Sequence, residues 1–211
     1  MKNFMHKYYV LLLISFILTA CNILQPVSIA IDPNLFQWYQ HKQQLQQLKQ
    51  FQISGALAYF FDQQKIYARF FWQQYSKECY RLVFTSSLGI TKFEVFVKPT
   101  VTLLIDNQGK HYSSKNPQEM IQKFTGISLP MDNLRQWIIG LPGDSHDFTL
   151  DNKYYLKQVN YQQNTFTWFV SYQNYNTDPT IHLPSRIELK QVELGKKEKY
   201  IKLKIDNWTL K

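Results

Sequence analysis

The sequence contains little glycine, proline and cysteine. Seven Gly and eight Pro in 211 residues exclude a collagen-like chain and a disordered chain rich in these residues. Two cysteines are too few for a small disulfide-stabilised scaffold. Acidic residues are also scarce, because 15 Asp and Glu stand against 24 Lys and Arg. The formal charge of +9 bears on the partners that the protein attracts and not on its fold.

Aromatic residues, by contrast, are abundant, with 14 Tyr, 15 Phe and 5 Trp. A chain of this length with 45% hydrophobic residues can bury the core of one folded domain. The aromatic content exceeds what packing such a core requires. It therefore indicates an additional apolar surface that serves a function.

The first twenty residues have the pattern of a signal peptide. Lys2 and Lys7 form a basic start, and residues 8–20 are uncharged and mostly apolar. This run is shorter than the roughly 17–25 residues of a membrane-spanning helix. We therefore expect residues 1–20 to be removed from the mature protein.

The end of this segment, Leu18-Thr19-Ala20-Cys21, resembles a bacterial lipobox. The resemblance implies cleavage before Cys21, a thioether-linked diacylglycerol on its sulfur and an acyl group on its new amino group. Asn22 follows, where Asp commonly marks retention at the inner membrane, so the outer membrane is the expected location. The alternative is an ordinary secretory signal with a chance cysteine. Apart from this covalent lipid, we expect no cofactor.

The remaining chain is predicted to be a short tether over residues 21–32 and a single domain over residues 33–211. Asp32 and Pro33 can start a helix that continues to about Gln50. Asn116 begins a second helix that ends at Gly126, and Asp132 is predicted to cap a third that stops at Gly140.

Most of the other segments alternate apolar and polar residues with the period of a β-strand. Strands before and after the two middle helices, without strand–helix alternation, favour an antiparallel sheet. A sheet of about ten or eleven strands should curl. We predict a mainly β fold, a curved and incompletely closed antiparallel β-barrel, with three short helices covering a hydrophobic cavity on its concave side.

Several segments carry a family pattern, in the same order along the chain. They are Trp38-Tyr39-Gln40-His41, residues 67–74, Arg81-Leu82, Leu88-Gly89, Gly126, Leu129-Pro130, residues 134–138, residues 140–144 and residues 201–208. Together they resemble the LolB family of outer-membrane lipoprotein receptors over nearly all of residues 34–211.

The resemblance implies a fold like that of the periplasmic carrier LolA and an activity without ATP. A LolB-like protein accepts acylated lipoproteins from the carrier and inserts them into the inner leaflet of the outer membrane, facing the periplasm. The expected partners are the carrier, acylated lipoproteins and outer-membrane phospholipid, with the protein itself a monomer. The rival interpretation is a structural or assembly lipoprotein of the outer membrane that performs no transfer.

An acyl-binding site needs apolar area and shape, since acyl tails form no hydrogen bonds. At about 0.8 kcal/mol per buried methylene, three acyl chains would nominally contribute tens of kcal/mol. Reversible binding cannot use so much, because affinities saturate near about −20 kcal/mol. We therefore expect incomplete burial or an opening lid. The candidate lining residues are Tyr59, Phe70, Trp72, Phe84, Phe93, Trp137, Ile138 and Trp168, although ordinary core packing is the alternative for each.

The segment around Leu88 is unusual for a turn, which normally carries polar or small residues. In the LolB family this loop protrudes and its leucine inserts towards the membrane, a role that the resemblance assigns to Leu88, flanked by Ser87 and Gly89. The family often has proline where Ser87 stands. A leucine folded back onto the core is the alternative.

Motifs for catalysis, metal binding and nucleic-acid binding are weak. Asp144-Ser145-His146-Asp147 contains the residue types of a catalytic triad, but adjacent residues cannot align as one. The histidines lack metal-binding spacing, and no P-loop is present. Lysines crowd residues 190–204, and an envelope location excludes nucleic acid as their partner, leaving acidic lipid headgroups or an acidic carrier surface. We therefore expect no enzymatic activity and no bound metal.

Overall fold

The computed structural model describes residues 33–163, 165–178 and 180–211. The predicted signal peptide (1–20), the tether (21–32) and Cys21 lie outside the described residues. Asn34–Lys211 forms a compact unit by itself. None of its helices has the length and apolar character needed to cross a membrane.

The described chain contains three helices and eleven strands in the following order. The helices are α1 (Pro33–Gln47), α2 (Pro117–Thr125) and α3 (Met131–Ile138). The strands are β1 (Phe51–Phe61), β2 (Gln64–Ser76), β3 (Cys79–Thr85), β4 (Thr91–Lys98), β5 (Val101–Asp106), β6 (His111–Ser114), β7 (Asp147–Leu150), β8 (Leu156–Gln163), β9 (Phe166–Tyr175), β10 (Pro184–Glu193) and β11 (Lys199–Leu210).

All eleven strands form one antiparallel sheet in the order β6-β5-β4-β3-β2-β1-β11-β10-β9-β8-β7. The first six strands and the last five are two meanders, which join where β1 pairs with β11. Strands β6 and β7 are the two edges, so the barrel is not closed. The predicted fold class is confirmed.

The sheet bends at a glycine in its central strand. Ser54 pairs with Asn207 but Gly55 pairs with Ile205, so Asp206 is the extra residue of a β-bulge in β11. A Cβ atom on Gly55 would lie 2.0 Å from the carbonyl oxygen of Lys204. Only glycine allows the two backbones to approach this closely.

The helix boundaries differ from the sequence predictions at two places. Helix α1 ends at Gln47 and not at Gln50, because the chain must become extended before it pairs in β1. Helix α3 begins at Met131, so Asp132 lies inside its first turn and does not cap it. The predicted cap of α2 is confirmed, since Asn116 Oδ1 accepts from the backbone N–H groups of Gln118 at 2.9 Å and Glu119 at 3.3 Å.

Candidate acyl-binding cavity

An apolar inner chamber lies between the concave face of the sheet and helices α2 and α3. Its volume is about 40 Å³, close to the space that one water molecule occupies in the liquid, about 30 Å³. Every lining residue is apolar or aromatic: Leu57, Phe70, Trp72, Leu82, Phe84, Ile121, Leu129, Met131, Leu134, Ile138, Leu189, Ile201 and Leu203. No titratable side chain is therefore among the described residues that line it.

A larger outer chamber adjoins the inner one, and the two share Leu57, Phe84, Ile121 and Leu129. Its volume is about 330 Å³. Its apolar lining also includes Tyr59, Ile66, Ala68, Phe93, Phe124 and Ile127, while Tyr67, Thr85, Ser86, Ser87, Lys92 and Thr125 supply its polar groups. The polar groups are concentrated near the β3–β4 loop, which identifies this side as the mouth.

Strand pairing brings the aromatic lining together. Phe70 of β2 pairs with Phe84 of β3, which pairs in turn with Phe93 of β4. The ring centroids of Phe84 and Phe93 lie 4.8 Å apart. Trp72, two residues further along β2, donates its indole N–H to Gln74 Oε1 at 2.8 Å. Burial raises the pKa of Tyr59 at the cavity wall.

Six of the eight residues predicted from the sequence line one or both chambers. Phe70, Trp72, Phe84 and Ile138 line the inner chamber, and Tyr59, Phe84 and Phe93 line the outer one.

The structure corrects the expectation for Trp137 and Trp168, which line neither chamber. Their ring centroids lie 6.3 Å apart in the core, and Tyr161 packs 5.7 Å from Trp137. The Trp137 indole N–H donates to the carbonyl of Pro142 at 3.2 Å. The two indoles therefore pack against each other in the core, and the hydrogen bond to Pro142 fixes the orientation of Trp137.

Apart from Ile138, sequence reasoning missed the part of the lining that comes from the helices and the segment between them. Ile121, Phe124, Ile127, Leu129 and Met131 contact the chambers from above the sheet. Their apolar spacing around α2 was the available signal. These residues form the lid of the cavity.

The β3–β4 loop carries two exposed apolar side chains beside the mouth. Leu88 is 86% exposed and Ile90 is 62% exposed. The loop is held by backbone hydrogen bonds from Ser86 N to Ile90 O at 2.8 Å and from Gly89 N to Ser86 O at 2.9 Å. Gly89 has φ 83°, a left-handed conformation that glycine adopts without strain. Leu88 therefore projects from a short, closed turn and is not folded onto the core.

The chain matches the family Outer membrane lipoprotein LolB over residues 49–208. The chain belongs to the LolB family. Outer-membrane lipoprotein LolB of Yersinia pseudotuberculosis serotype O:3 (strain YPIII) is 58% identical over 206 residues, which cover 98% of this chain and 97% of that protein. The protein of the same name from Yersinia pestis (strain Pestoides F) has the same identity and coverage.

Solved structures share the fold with this LolB family member at low sequence identity. A LolA superfamily protein from Nitrosomonas europaea superposes with a TM-score of 0.55 and 10% identity, over 84% of this chain and 93% of that one. A DUF1329 family protein from Desulfovibrio piger gives a TM-score of 0.51 and 6% identity, over 84% and 92%. The family match and the relatives confirm the resemblance to LolB, and the structural neighbours support the predicted fold.

Proposed function

We propose that this chain is an outer-membrane lipoprotein that accepts acylated lipoproteins from a LolA-type periplasmic carrier and inserts them into the inner leaflet of the outer membrane. Membership of the LolB family supports the activity and the location. The observation that carries the proposal is the inner chamber, whose lining consists of apolar and aromatic side chains. Such a surface binds acyl chains through the hydrophobic effect, without ATP.

The two chambers are small for a cargo with several acyl chains. At about 40 and 330 Å³, they lie at or below the lower end of the range for small-ligand pockets, about 300–1,000 Å³. Binding therefore requires α2 and residues 126–130, which follow it, to move away from the sheet. This movement exposes apolar lid surface at about 25 cal/mol per Å², which offsets part of the gain from burying the acyl chains and keeps binding reversible.

Delivery requires contact with the bilayer. Leu88, flanked by Ser87 and Gly89, projects beside the mouth and would insert into phospholipid at this step. Cys21, with its S-diacylglycerol and N-acyl group, would anchor the mature protein without taking part in transfer. We further propose that residues 33–211 act as a single monomeric domain.

We also propose that the protein has no enzymatic activity. The most triad-like segment is used for structure, because Ser145 Oγ donates to the carbonyl of Asn160 at 2.5 Å and accepts from the N–H of Asp147 at 3.0 Å. Among the described residues, no group of three His, Cys, Asp or Glu side chains is placed to hold a metal.

A transfer assay in solution tests this proposal. Cys21→Ala in a chain with a cleavable secretory signal gives a non-acylated protein, which is incubated with carrier loaded with an acylated lipoprotein. We expect stoichiometric transfer to this protein and none from a carrier loaded with the deacylated cargo. No transfer of the acylated cargo, with a native circular dichroism spectrum, would instead indicate a structural lipoprotein. Release of free fatty acid would indicate an esterase.

A further inference from the structure

A groove of about 700 Å³ crosses the outer face of the sheet, opposite the acyl cavity. Its floor is low because the outward residues of β1 are Ala56 and Ala58, whose side chains are short. Longer side chains on the two neighbouring strands form the walls: Tyr67 and Arg69 on β2, and Lys202 and Lys204 on β11. The pairing of β1 with β11 thus creates the groove.

The groove carries an excess of positive charge. Four cations line it, Arg69, Arg186, Lys202 and Lys204, together with one acid, Glu188. Lys202 pairs with Glu188 at 2.9 Å, while Arg69 and Lys204 share Asp206 of the β11 bulge at 3.4 and 2.7 Å.

These pairs leave the groove positively charged and open to an anion. All three are solvent-exposed, and such pairs contribute little to stability, so an incoming anion can compete for the cations. Within the described chain, the Arg186 guanidinium forms no ion pair with a carboxylate.

The groove adjoins the apolar β3–β4 loop. Strand β3 ends at Thr85 directly opposite Arg69, so the loop leaves the sheet at the level of the groove. Ser87 lines both the groove and the outer chamber. Leu88, next in the chain, is 86% exposed. An apolar tip and a basic groove thus lie side by side at the mouth of the cavity.

We propose that this groove binds the phosphate of an anionic phospholipid headgroup when Leu88 lies in the hydrocarbon layer, and so turns the cavity mouth towards the bilayer. The proposal rests on the proposed function, which places the protein at the membrane. Apolar anchors flanked by Lys and Arg are the pattern of proteins that bind anionic lipid surfaces. An acidic protein surface would be attracted by the same charges, but charge attraction does not explain the exposed apolar side chains of Leu88 and Ile90.

Vesicle co-sedimentation tests the groove, using the Cys21→Ala protein so that its own lipid does not dominate binding. The vesicles contain phosphatidylethanolamine alone or with one quarter phosphatidylglycerol. Combined Arg69→Gln, Arg186→Gln, Lys202→Gln and Lys204→Gln should lower the partition coefficient for the anionic vesicles at least about tenfold, since each cation near an anionic surface contributes about a fivefold factor. Replacing Lys202 and Lys204 by Arg should preserve binding.

A matched control removes the same charge elsewhere. Lys49, Lys77, Lys98 and Lys115 are exposed, form no ion pair within the described chain and lie outside the groove. Changing all four to Gln should lower binding less than threefold. Equal losses in both sets would show that net charge acts without a site and would overturn the proposal.

Transfer from carrier to receptor, measured without vesicles, separates the remaining outcomes. The groove variant should accept lipoprotein at the normal rate. If it binds anionic vesicles normally but accepts lipoprotein slowly, the groove docks the carrier and the lipid proposal is wrong. The proposed function is wrong, but the groove is still a lipid site, if neither the Cys21→Ala protein nor any variant accepts lipoprotein and only the groove variant loses binding to anionic vesicles.

Discussion

The concave face of the sheet is filled over one half and hollow over the other. In the C-terminal half, Trp137 and Trp168 pack together, and Tyr172 donates its hydroxyl to the carbonyl of Trp137 at 3.0 Å. Tyr175 donates to the carbonyl of Leu156 at 2.7 Å. Trp137, Tyr172 and Tyr175 are held by hydrogen bonds to backbone carbonyls, so moving any of these three would leave a buried polar group without a partner.

In the N-terminal half, the rings around the chambers are mostly phenylalanines. Phe70, Phe84 and Phe93 have no polar atoms, and the lid residues opposite them are also apolar. Among the residues that the structure describes, no side-chain hydrogen bond joins these rings to the lid, so separating the two sides breaks none. Opening the hollow half would therefore cost mainly the exposure of apolar surface, whereas buried hydrogen bonds hold the filled half in place.

The largest difference between the halves should come from cavity-creating substitutions. Trp137→Ala should reduce the free energy of unfolding by about 3–5 kcal/mol, because it empties a fully buried site and removes a hydrogen bond to Pro142. Phe84→Ala, beside space that is already open, should cost about 1–2 kcal/mol. Urea denaturation of both variants measures the difference, and equal losses would contradict the division into filled and hollow halves.

A pH effect on stability should also originate in the filled half. Burial, with a further contribution from the charge of His182 and an opposing one from Asp151, lowers the pKa of His41 from 6.5 to about 4. Its ring lies 4.8 Å from Tyr155. The unfolded chain therefore binds a proton at His41 between about pH 6.5 and pH 4 that the folded protein does not bind.

The contribution of His41 is present above about pH 6.5 and is lost as the pH falls towards 4, on the order of 2 kcal/mol in all. Chemical denaturation at pH 7.5, 5.5 and 4.5 should show this loss. His41→Gln should remove that part of the pH dependence. An unchanged pH profile in His41→Gln would assign the effect to other groups.

Tryptophan emission can tell the two halves apart during binding. Trp72 lines the inner chamber and Trp168 does not, so an acylated lipoprotein should change the emission of Trp72. Trp72→Phe should abolish most of the change at a cost of about 1 kcal/mol in stability, and Trp168→Phe should preserve it. The deacylated cargo is the control. A response lost only in Trp168→Phe would place the acyl site in the half described as filled.

The smallest effect on stability is expected in the loop beside the hollow half. Leu88 is exposed, so Leu88→Glu should change the free energy of unfolding by no more than about 0.5 kcal/mol. Uptake from the carrier should persist, whereas release into liposomes should fall because a carboxylate replaces the apolar tip. Ile90→Glu is the companion variant. A sharp drop in the melting temperature of Leu88→Glu, or normal transfer in both stages, would contradict the role of Leu88.

The sequence by itself determined the elements, the family and the loop. Three of the correct predictions rest on local patterns: the alternation along Phe51–Phe61, the Asn116 cap and the leucine in a polar turn. Such patterns can be read without knowing which distant residues pack together. The family pattern is likewise a property of the residues in order, and all of its segments after residues 38–41 lie within the range 49–208 that the family comparison matched.

Only the tertiary structure decided which buried residues line a cavity and which fill a core. Trp137 and Ile138 are neighbours on α3 and both are buried, but Ile138 contacts the chamber while Trp137 packs against Trp168. Apolar periodicity identifies the side of a helix that avoids water and does not identify what lies opposite it. The basic groove was hidden for the same reason. Ala56 meets Lys204 only when β1 pairs with β11, and residues so far apart in the chain become neighbours through folding alone.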